Sequence, residues 1–231
     1  MARLHRICPV GIPQHVIQRG NNRQLCFNSD EDFAAYAHWL KEYATKYQTQ
    51  IHAWVFMRNH VHLLVTPSCD NAVSQMMQSL GLCYVRYYNK KYQRSGTLWE
   101  GRFKSCLVET AEYLLQCYRY IELNPVRALM VSDPSEYRWS SYRNNGLGVY
   151  TPLITPHNEY LRLGNSSAER LHHYRELFKH HLDESIMTEI RDSVNKGLVF
   201  GSDKVKDEVE YNLKRQARPG KVGRKPKEML L

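Results

Sequence analysis

Apolar and polar positions in the first half of the chain follow two different periods. Short apolar runs bounded by turn residues cover 14–19, 50–57 and 60–66, which predicts three strands. Segments 30–47 and 71–91 carry apolar residues at helical spacing and predict two helices, with Asp30 as the N-cap of the first. A fourth strand is predicted over 103–108. A third helix is predicted from about 110 to 124, because the residue before Pro125 disfavours helical geometry.

This order of elements predicts an α+β fold. Only Arg58 and Asn59 separate the second and third strands, so these two strands must form an antiparallel hairpin. The order strand, helix, strand, strand, helix, strand, helix is typical of a ferredoxin-like (split βαβ) fold. We therefore expect a four-stranded antiparallel sheet with helices on one face, which leaves the other face free for a site.

The pattern changes after about residue 133. Residues 133–164 are rich in proline and glycine, and two or three helices are predicted between about 168 and 215. Residues 214–227 are basic and contain no acidic residue, so we expect a disordered tail. The sequence thus predicts a folded domain over 1–145, a helical C-terminal extension over 146–213 and a tail over 214–231.

Composition and charge indicate a polyanionic partner. The chain of 231 residues carries a net charge of +9, together with 16 tyrosines and 4 tryptophans. Excess positive charge attracts nucleic acid, and aromatic rings between Lys and Arg suit unpaired bases. The candidate DNA contacts are Arg86, Lys90, Lys91, Arg94, Arg102 and Lys104, with Arg224 and Lys225 in the tail. That tail can equally be a solvated segment that only aids solubility.

The cysteine pattern and the N-terminus indicate a cytoplasmic protein. The six cysteines are scattered without a Cys-x-x-Cys pair, which favours neither a zinc site nor a disulfide framework. Residues 1–6 lack the apolar core of a signal peptide, and no apolar run reaches the length of a membrane span. We therefore expect a reducing cytoplasm and no membrane partner.

Two histidines share one face of the third predicted strand. Side chains alternate along a strand, so His60 and His62 point to the same side while Val61 points to the other. Two imidazoles on a rigid strand can converge on one metal ion. Hydrogen-bonded structural histidines are also common, so this pair alone does not decide between a metal site and a structural role.

The third predicted helix offers a nucleophile and a polar neighbour. Tyr120 and Asn124 are four residues apart and therefore lie on one helix face. Tyr113 and Tyr118 are rival nucleophiles, but neither has an amide side chain four positions downstream, where Cys117 and Glu122 stand, which favours a packing role for both. Asn124 either joins Tyr120 in a site or caps the end of the helix.

Three separated motifs together resemble the REP-associated tyrosine transposases, which belong to the His-hydrophobe-His single-strand DNA transposases with one catalytic tyrosine. The motifs are Asn59-His60-Val61-His62, the segment from Gly96 to Ser105, and Tyr120-Ile121-Glu122-Leu123-Asn124-Pro125-Val126-Arg127-Ala128. The resemblance covers roughly residues 10–145 and does not extend into the C-terminal extension.

The resemblance implies a metal-dependent DNA nuclease and strand transferase of the bacterial cytoplasm and nucleoid. It implies that Tyr120 is the nucleophile and that His60, His62 and Asn124 are metal ligands for Mg²⁺ or Mn²⁺. The implied substrate is single-stranded DNA with imperfect hairpins, the repetitive extragenic palindromes, cut and rejoined through a 5′-phosphotyrosine. The enzyme would act as a monomer or a homodimer.

Two other functions fit the same residues. A non-catalytic nucleic-acid binding module could use the ferredoxin-like sheet without metal. A replication initiator or relaxase could use the same chemistry, but would need a helicase or mobilisation context that a chain of this length lacks.

Overall fold

The computed structural model describes residues 8–109 and 111–220 and contains a five-stranded sheet. The strands are β1 (Gln14–Arg19), β2 (Thr49–Met57), β3 (His60–Pro67), β4 (Lys104–Val108) and β5 (Val199–Phe200). The sheet order is β2-β3-β1-β4-β5. The first four strands pair antiparallel, as predicted, and β5 pairs parallel to β4.

Nine α-helices lie in the described part of the chain. They are α1 (Asp30–Lys46), α2 (Ala72–Lys91), α3 (Glu112–Glu122), α4 (Asn124–Arg127), α5 (Tyr142–Asn145), α6 (Asn158–Leu161), α7 (Ser167–Lys179), α8 (Glu184–Lys196) and α9 (Asp203–Leu213). The helices predicted over 30–47 and 71–91 are confirmed to within one residue at each end, but the N-cap of α1 is Ser29 and not Asp30. Three helices of more than one or two turns follow residue 165, in agreement with the predicted pattern. No helix described here is long and apolar enough to cross a bilayer.

Helices cover both faces of the sheet, so the expectation of helices on one face only is wrong. Val61, Leu63 and Val65 of β3 pack on one face against α1 and α2. Leu64 of β3 belongs to the other face, where α3 and α8 pack. The physical reason is that the inward side chains of both faces are apolar, and α3 has an apolar stripe of its own that must be buried.

The sheet is also mixed rather than purely antiparallel, which is the second correction. α8 is followed by its C-cap residue Gly197, whose φ of +68° lets the chain turn into β5. β5 then pairs with β4, and Val199 N donates a hydrogen bond to Ala217 O. The extension therefore adds a strand to the sheet edge.

The first part of the basic tail packs against this edge. Ala217 is buried, and Arg218 forms an ion pair of 2.8 Å with Asp207 of α9. Residues 221–231, which include the predicted DNA contacts Arg224 and Lys225, lie outside the described residues. The division into parts at 145 and 213 stays a prediction.

A buried carboxylate ties α3 to the segment that follows it. Glu122 is fully buried and accepts hydrogen bonds from the hydroxyls of Ser141 and Tyr174 and from Asn145 Nδ2. Burial raises the pKa of Glu122 to about 7, although these three donors lower it in part. Because α3 also carries Tyr120, these hydrogen bonds help to fix the position of that tyrosine.

The raised pKa of Glu122 makes stability depend on pH. The folded state favours the uncharged carboxyl, so the stabilisation is complete below pH 4.5 and is lost as the pH rises through about 7. Glu122→Gln mimics the protonated form. We expect the free energy of unfolding of the wild type, relative to that of the variant, to fall by about 2 kcal/mol between pH 5 and pH 8.

Urea unfolding at several pH values measures this difference. Glu208→Gln, at an exposed position of α9, serves as the matched control and should follow the wild-type pH profile. Parallel profiles for the wild type and Glu122→Gln would contradict the assignment.

Candidate active site

A groove of about 1000 Å³ opens on the sheet face that carries α3 and α8. Its lining includes eight Lys and Arg residues and one carboxylate, Glu100, which pairs with Arg19 at 2.7 Å. The basic residues are Arg19, Arg23, Arg102, Lys104, Arg127, Arg191, Lys196 and Arg215. His60, His62, Tyr120 and Asn124 line the same groove. Strand β3 and helices α3 and α4 thus bring together the four site residues that the sequence predicts.

The two histidines of β3 lie side by side in the groove. The ring centroids of His60 and His62 are 5.1 Å apart, and His60 Nδ1 lies 2.6 Å from Asn59 Oδ1. Since an amide oxygen only accepts, His60 Nδ1 carries the proton and leaves Nε2 unprotonated. Burial lowers the pKa of His60 to about 4, and it lowers the pKa of His62 well below its usual value. Both rings are therefore neutral at pH 7, as metal ligation requires.

A third histidine, His15 of β1, contacts the His62 ring. His15 is fully buried, and its Nε2 lies 2.8 Å from His62 Nδ1 with the rings stacked at 5.0 Å. If His62 Nε2 binds a cation, the ring proton of His62 must be on Nδ1. His62 Nδ1 then donates a hydrogen bond to His15 Nε2. His15 Nδ1 is buried without a hydrogen-bond partner in the described chain. The tautomer of His62 is thus coupled to that of His15.

Tyr120 faces these rings from α3. Its ring centroid lies 5.9 Å from that of His62 and 5.7 Å from that of His15, in edge-on contacts. The guanidinium carbon of Arg127, on α4, lies 4.1 Å from the centroid of the Tyr120 ring. This cation–π contact fixes the ring plane while leaving the tyrosine in the groove wall.

Asn124 is one turn further along the same side and is nearly buried. Its Nδ2 donates to the carbonyl oxygens of Tyr120 and Ile121 at 2.9 and 3.2 Å. The side chain therefore does cap the end of α3. Because the nitrogen makes those bonds, Oδ1 is the atom that can serve as a ligand.

The two rival tyrosines do not line the groove. Tyr118 is fully buried among Tyr160 and Tyr174, and Tyr113 packs edge-on against Phe200 at 5.1 Å. Both positions agree with the packing roles that the sequence favours.

The predicted DNA contacts divide between the two faces of the molecule. Arg102 and Lys104 line the groove, where Lys104 Nζ donates to Asn195 Oδ1 of α8 at 2.9 Å. Four others, Arg86, Lys90, Lys91 and Arg94, belong to α2 and the turn after it, on the opposite face of the sheet. Lys91 there pairs with Asp32 at 2.9 Å. A DNA contact by these four residues stays a prediction.

The donor set fits a hard divalent cation with open positions. Two neutral imidazoles and one amide oxygen are available at the groove wall. No cluster of three or more His, Cys, Asp or Glu that could hold a metal occurs among residues 8–109 and 111–220. Such a set suits Mg²⁺ or Mn²⁺, which complete their coordination with water and substrate oxygens, and it does not suit a closed zinc site.

Sequence reasoning missed His15, Arg127 and Arg191 as residues of the site. His15 was detectable, because a ferredoxin-like order places the first strand beside the third and alternation puts His15 on the histidine face. Arg127 lies within the third motif, and its contact with Tyr120 needs only the short turn at Pro125. Arg191 lies on a helix beyond the resemblance, and no sequence signal distinguishes it.

Comparisons with known proteins show the family and the fold of the chain. The family described as IS200-like transposases matches residues 10–124, about half of the chain. The solved structure of a REP-associated tyrosine transposase bound to a REP hairpin aligns with a TM-score of 0.53 and 18% identity, over 73% of this chain and 96% of its own. A transposase structure from Deinococcus radiodurans R1 aligns at 20% identity over 52% of this chain and 96% of its own, with a TM-score of 0.37. No curated protein sequence matches the chain.

Proposed function

The chain belongs to the IS200-like transposase family, whose members are DNA-cleaving enzymes, and from this we propose a specific reaction for it. The protein cleaves and rejoins single-stranded DNA at hairpin-bearing sites through a covalent bond between Tyr120 and a 5′ phosphate. One observation carries the proposal: the Tyr120 ring lies 5.9 Å from that of His62 inside a groove lined with Lys and Arg.

The covalent step exchanges one phosphodiester for another. Tyr120 Oη attacks the phosphorus in line, the bond from phosphorus to the 3′ oxygen breaks, and the phenol proton ends on the released 3′ hydroxyl. The product is a 5′-phosphotyrosine with a free 3′ hydroxyl on the other fragment. Because the bond energy is retained, a second 3′ hydroxyl can reverse the step and join a new strand without ATP.

The chain's own residues hold the reacting groups in place. Arg127 orients the Tyr120 ring, and Asn124 donates a hydrogen bond to the Tyr120 carbonyl at the end of α3. Glu122 holds α3 in place by its hydrogen bond with Tyr174 of α7. Proteins of this family typically use a divalent metal. We propose that His60, His62 and Asn124 hold Mg²⁺ or Mn²⁺. Such an ion would neutralise the charge that develops on the phosphate oxygens.

We further propose a REP-like hairpin as the substrate. Support comes from the charged groove and from the aligned REP-associated transposase, whose structure contains a REP hairpin. A single strand that folds back on itself offers both unpaired bases and a defined duplex end. Arg102 and Lys104 are placed to contact its backbone.

The test uses single-stranded oligonucleotides that carry an imperfect palindrome and a label at one end. With Mn²⁺, we expect a denaturation-resistant protein–DNA band that carries the 3′ label, because the downstream fragment holds the 5′ phosphate. The 5′-labelled fragment should be released free. Adducts that carry the 5′ label would contradict the proposed polarity, and no adduct with any palindrome would contradict the proposed function.

A further inference from the structure

We propose that Arg127 and Arg191 together bind one phosphate of the DNA strand beside Tyr120. Helix α8 of the C-terminal extension then completes the active site. This inference rests on the proposed function and adds a second binding element to it. Residue 191 lies well beyond the stretch 10–124 that matches the transposase family.

Both arginines line the groove that holds Tyr120 and the two histidines. Arg127 approaches from α4, with its guanidinium stacked on the Tyr120 ring at 4.1 Å. Arg191 approaches from α8, which packs against β4 and α3. The two side chains thus enter the groove of the nucleophile from two elements on the same sheet face.

Neither arginine forms an ion pair with a carboxylate in the described part of the chain. Arg127 Nη1 is buried without a hydrogen-bond partner among those residues. Two other cations of the groove do have acidic partners: Arg19 pairs with Glu100, and Lys196 pairs with Asp192. A buried guanidinium nitrogen without an acceptor is costly, so an anionic acceptor at this point is favoured.

The electrostatics point the same way. Burial lowers the pKa of Arg127, and the positive charge of Arg191 lowers it further, whereas the charge of Tyr120 and its side-chain hydrogen bond with Arg127 raise it. The two guanidinium groups are therefore within electrostatic reach of each other. A phosphate between them would relieve their repulsion and accept hydrogen bonds from both.

The position also suits the chemistry. A phosphate next to Tyr120 is either the scissile one or its direct neighbour, because consecutive phosphates of a strand are only one nucleotide apart. Two arginines there would set the strand in register with the nucleophile before any bond changes.

Binding of a labelled hairpin-bearing single strand in EDTA tests this without cleavage. For Arg191→Gln we expect affinity about tenfold lower at 50 mM KCl, and a slope of log K against log salt that is smaller by about 0.7, the value for one phosphate contact. Arg191→Lys should keep the wild-type slope. Arg143→Gln, at an exposed position of α5 away from the groove, is the matched control and should bind as the wild type does.

A double variant tests whether the two arginines share one phosphate. The affinity loss of Arg127→Gln/Arg191→Gln should then be clearly smaller than the product of the two single losses. A loss equal to that product would overturn the shared phosphate. Arg127→Met, which removes the charge and keeps an apolar stem, replaces Arg127→Gln in the same cycle if the latter does not fold.

The outcomes separate this inference from the proposed function. If Arg191→Gln binds with the affinity and salt slope of the wild type, the role of Arg191 is overturned. Adduct formation by the wild type would still support Tyr120 as the nucleophile in that case. Failure of the wild type to bind single-stranded DNA would instead overturn the proposed function.

Discussion

Tyr120→Phe is expected to form no covalent adduct with a palindromic single strand, at a detection limit of about one thousandth of the wild-type yield. The change removes only the attacking oxygen. The phenyl ring keeps its stacking contact with Arg127 and its edge contacts with His15 and His62. Hairpin binding in EDTA should therefore stay within about twofold of the wild type, because a single lost hydroxyl outside the phosphate contacts changes little.

Tyr113→Phe is the matched control for this variant. Tyr113 lies on the same helix but packs against Phe200 instead of lining the groove. Its adduct yield should equal that of the wild type. Undiminished adduct in Tyr120→Phe would refute the assignment of the nucleophile, and loss of adduct in Tyr113→Phe alone would transfer the role to that residue.

Replacing both strand histidines is expected to have the next largest effect. The double variant His60→Ala/His62→Ala should lose measurable Mn²⁺ binding and at least about a hundredfold in adduct formation. The reason is that no other pair of imidazoles from residues 8–109 and 111–220 lines the groove. Calorimetric titration with MnCl₂ in the absence of DNA measures the first effect directly. The labelled oligonucleotide assay measures the second.

His38→Ala provides the control for metal binding. His38 is exposed on α1, on the opposite face of the sheet, so its removal should leave Mn²⁺ affinity unchanged. Full Mn²⁺ binding by the double variant would show that the pair is structural. Cleavage without any added metal would contradict the proposed role of the ion.

The sequence predicts the first four strands well because each has a strong local signal. Period-two alternation separates Val61 and Leu63 from His60 and His62, and only two residues connect β2 to β3. Strand β5 has no such signal, since a two-residue strand carries no period. Its pairing depends on α8 packing against β4, which is a tertiary contact.

The residues of the candidate site that have a local sequence signal were predictable, and those placed only by tertiary contacts were not. Strand alternation places His60 and His62 on one face and helical spacing places Tyr120 with Asn124, while their roles are what the resemblance implies. Arg191 does not, because an exposed arginine on an amphipathic helix is typical of any solvated surface. Its relation to Tyr120 depends on how α8 folds back over the sheet.

The short strand β5 has a further consequence for the molecule as a whole. It covers the hydrogen-bonding groups of β4 that would otherwise stand open at that border of the sheet. Uncovered strand borders invite pairing between separate molecules. A protein shortened before residue 184 would lack both α8 and β5. It would expose that border together with the apolar side chains beneath α8, and it would then tend to aggregate rather than simply lose a DNA contact.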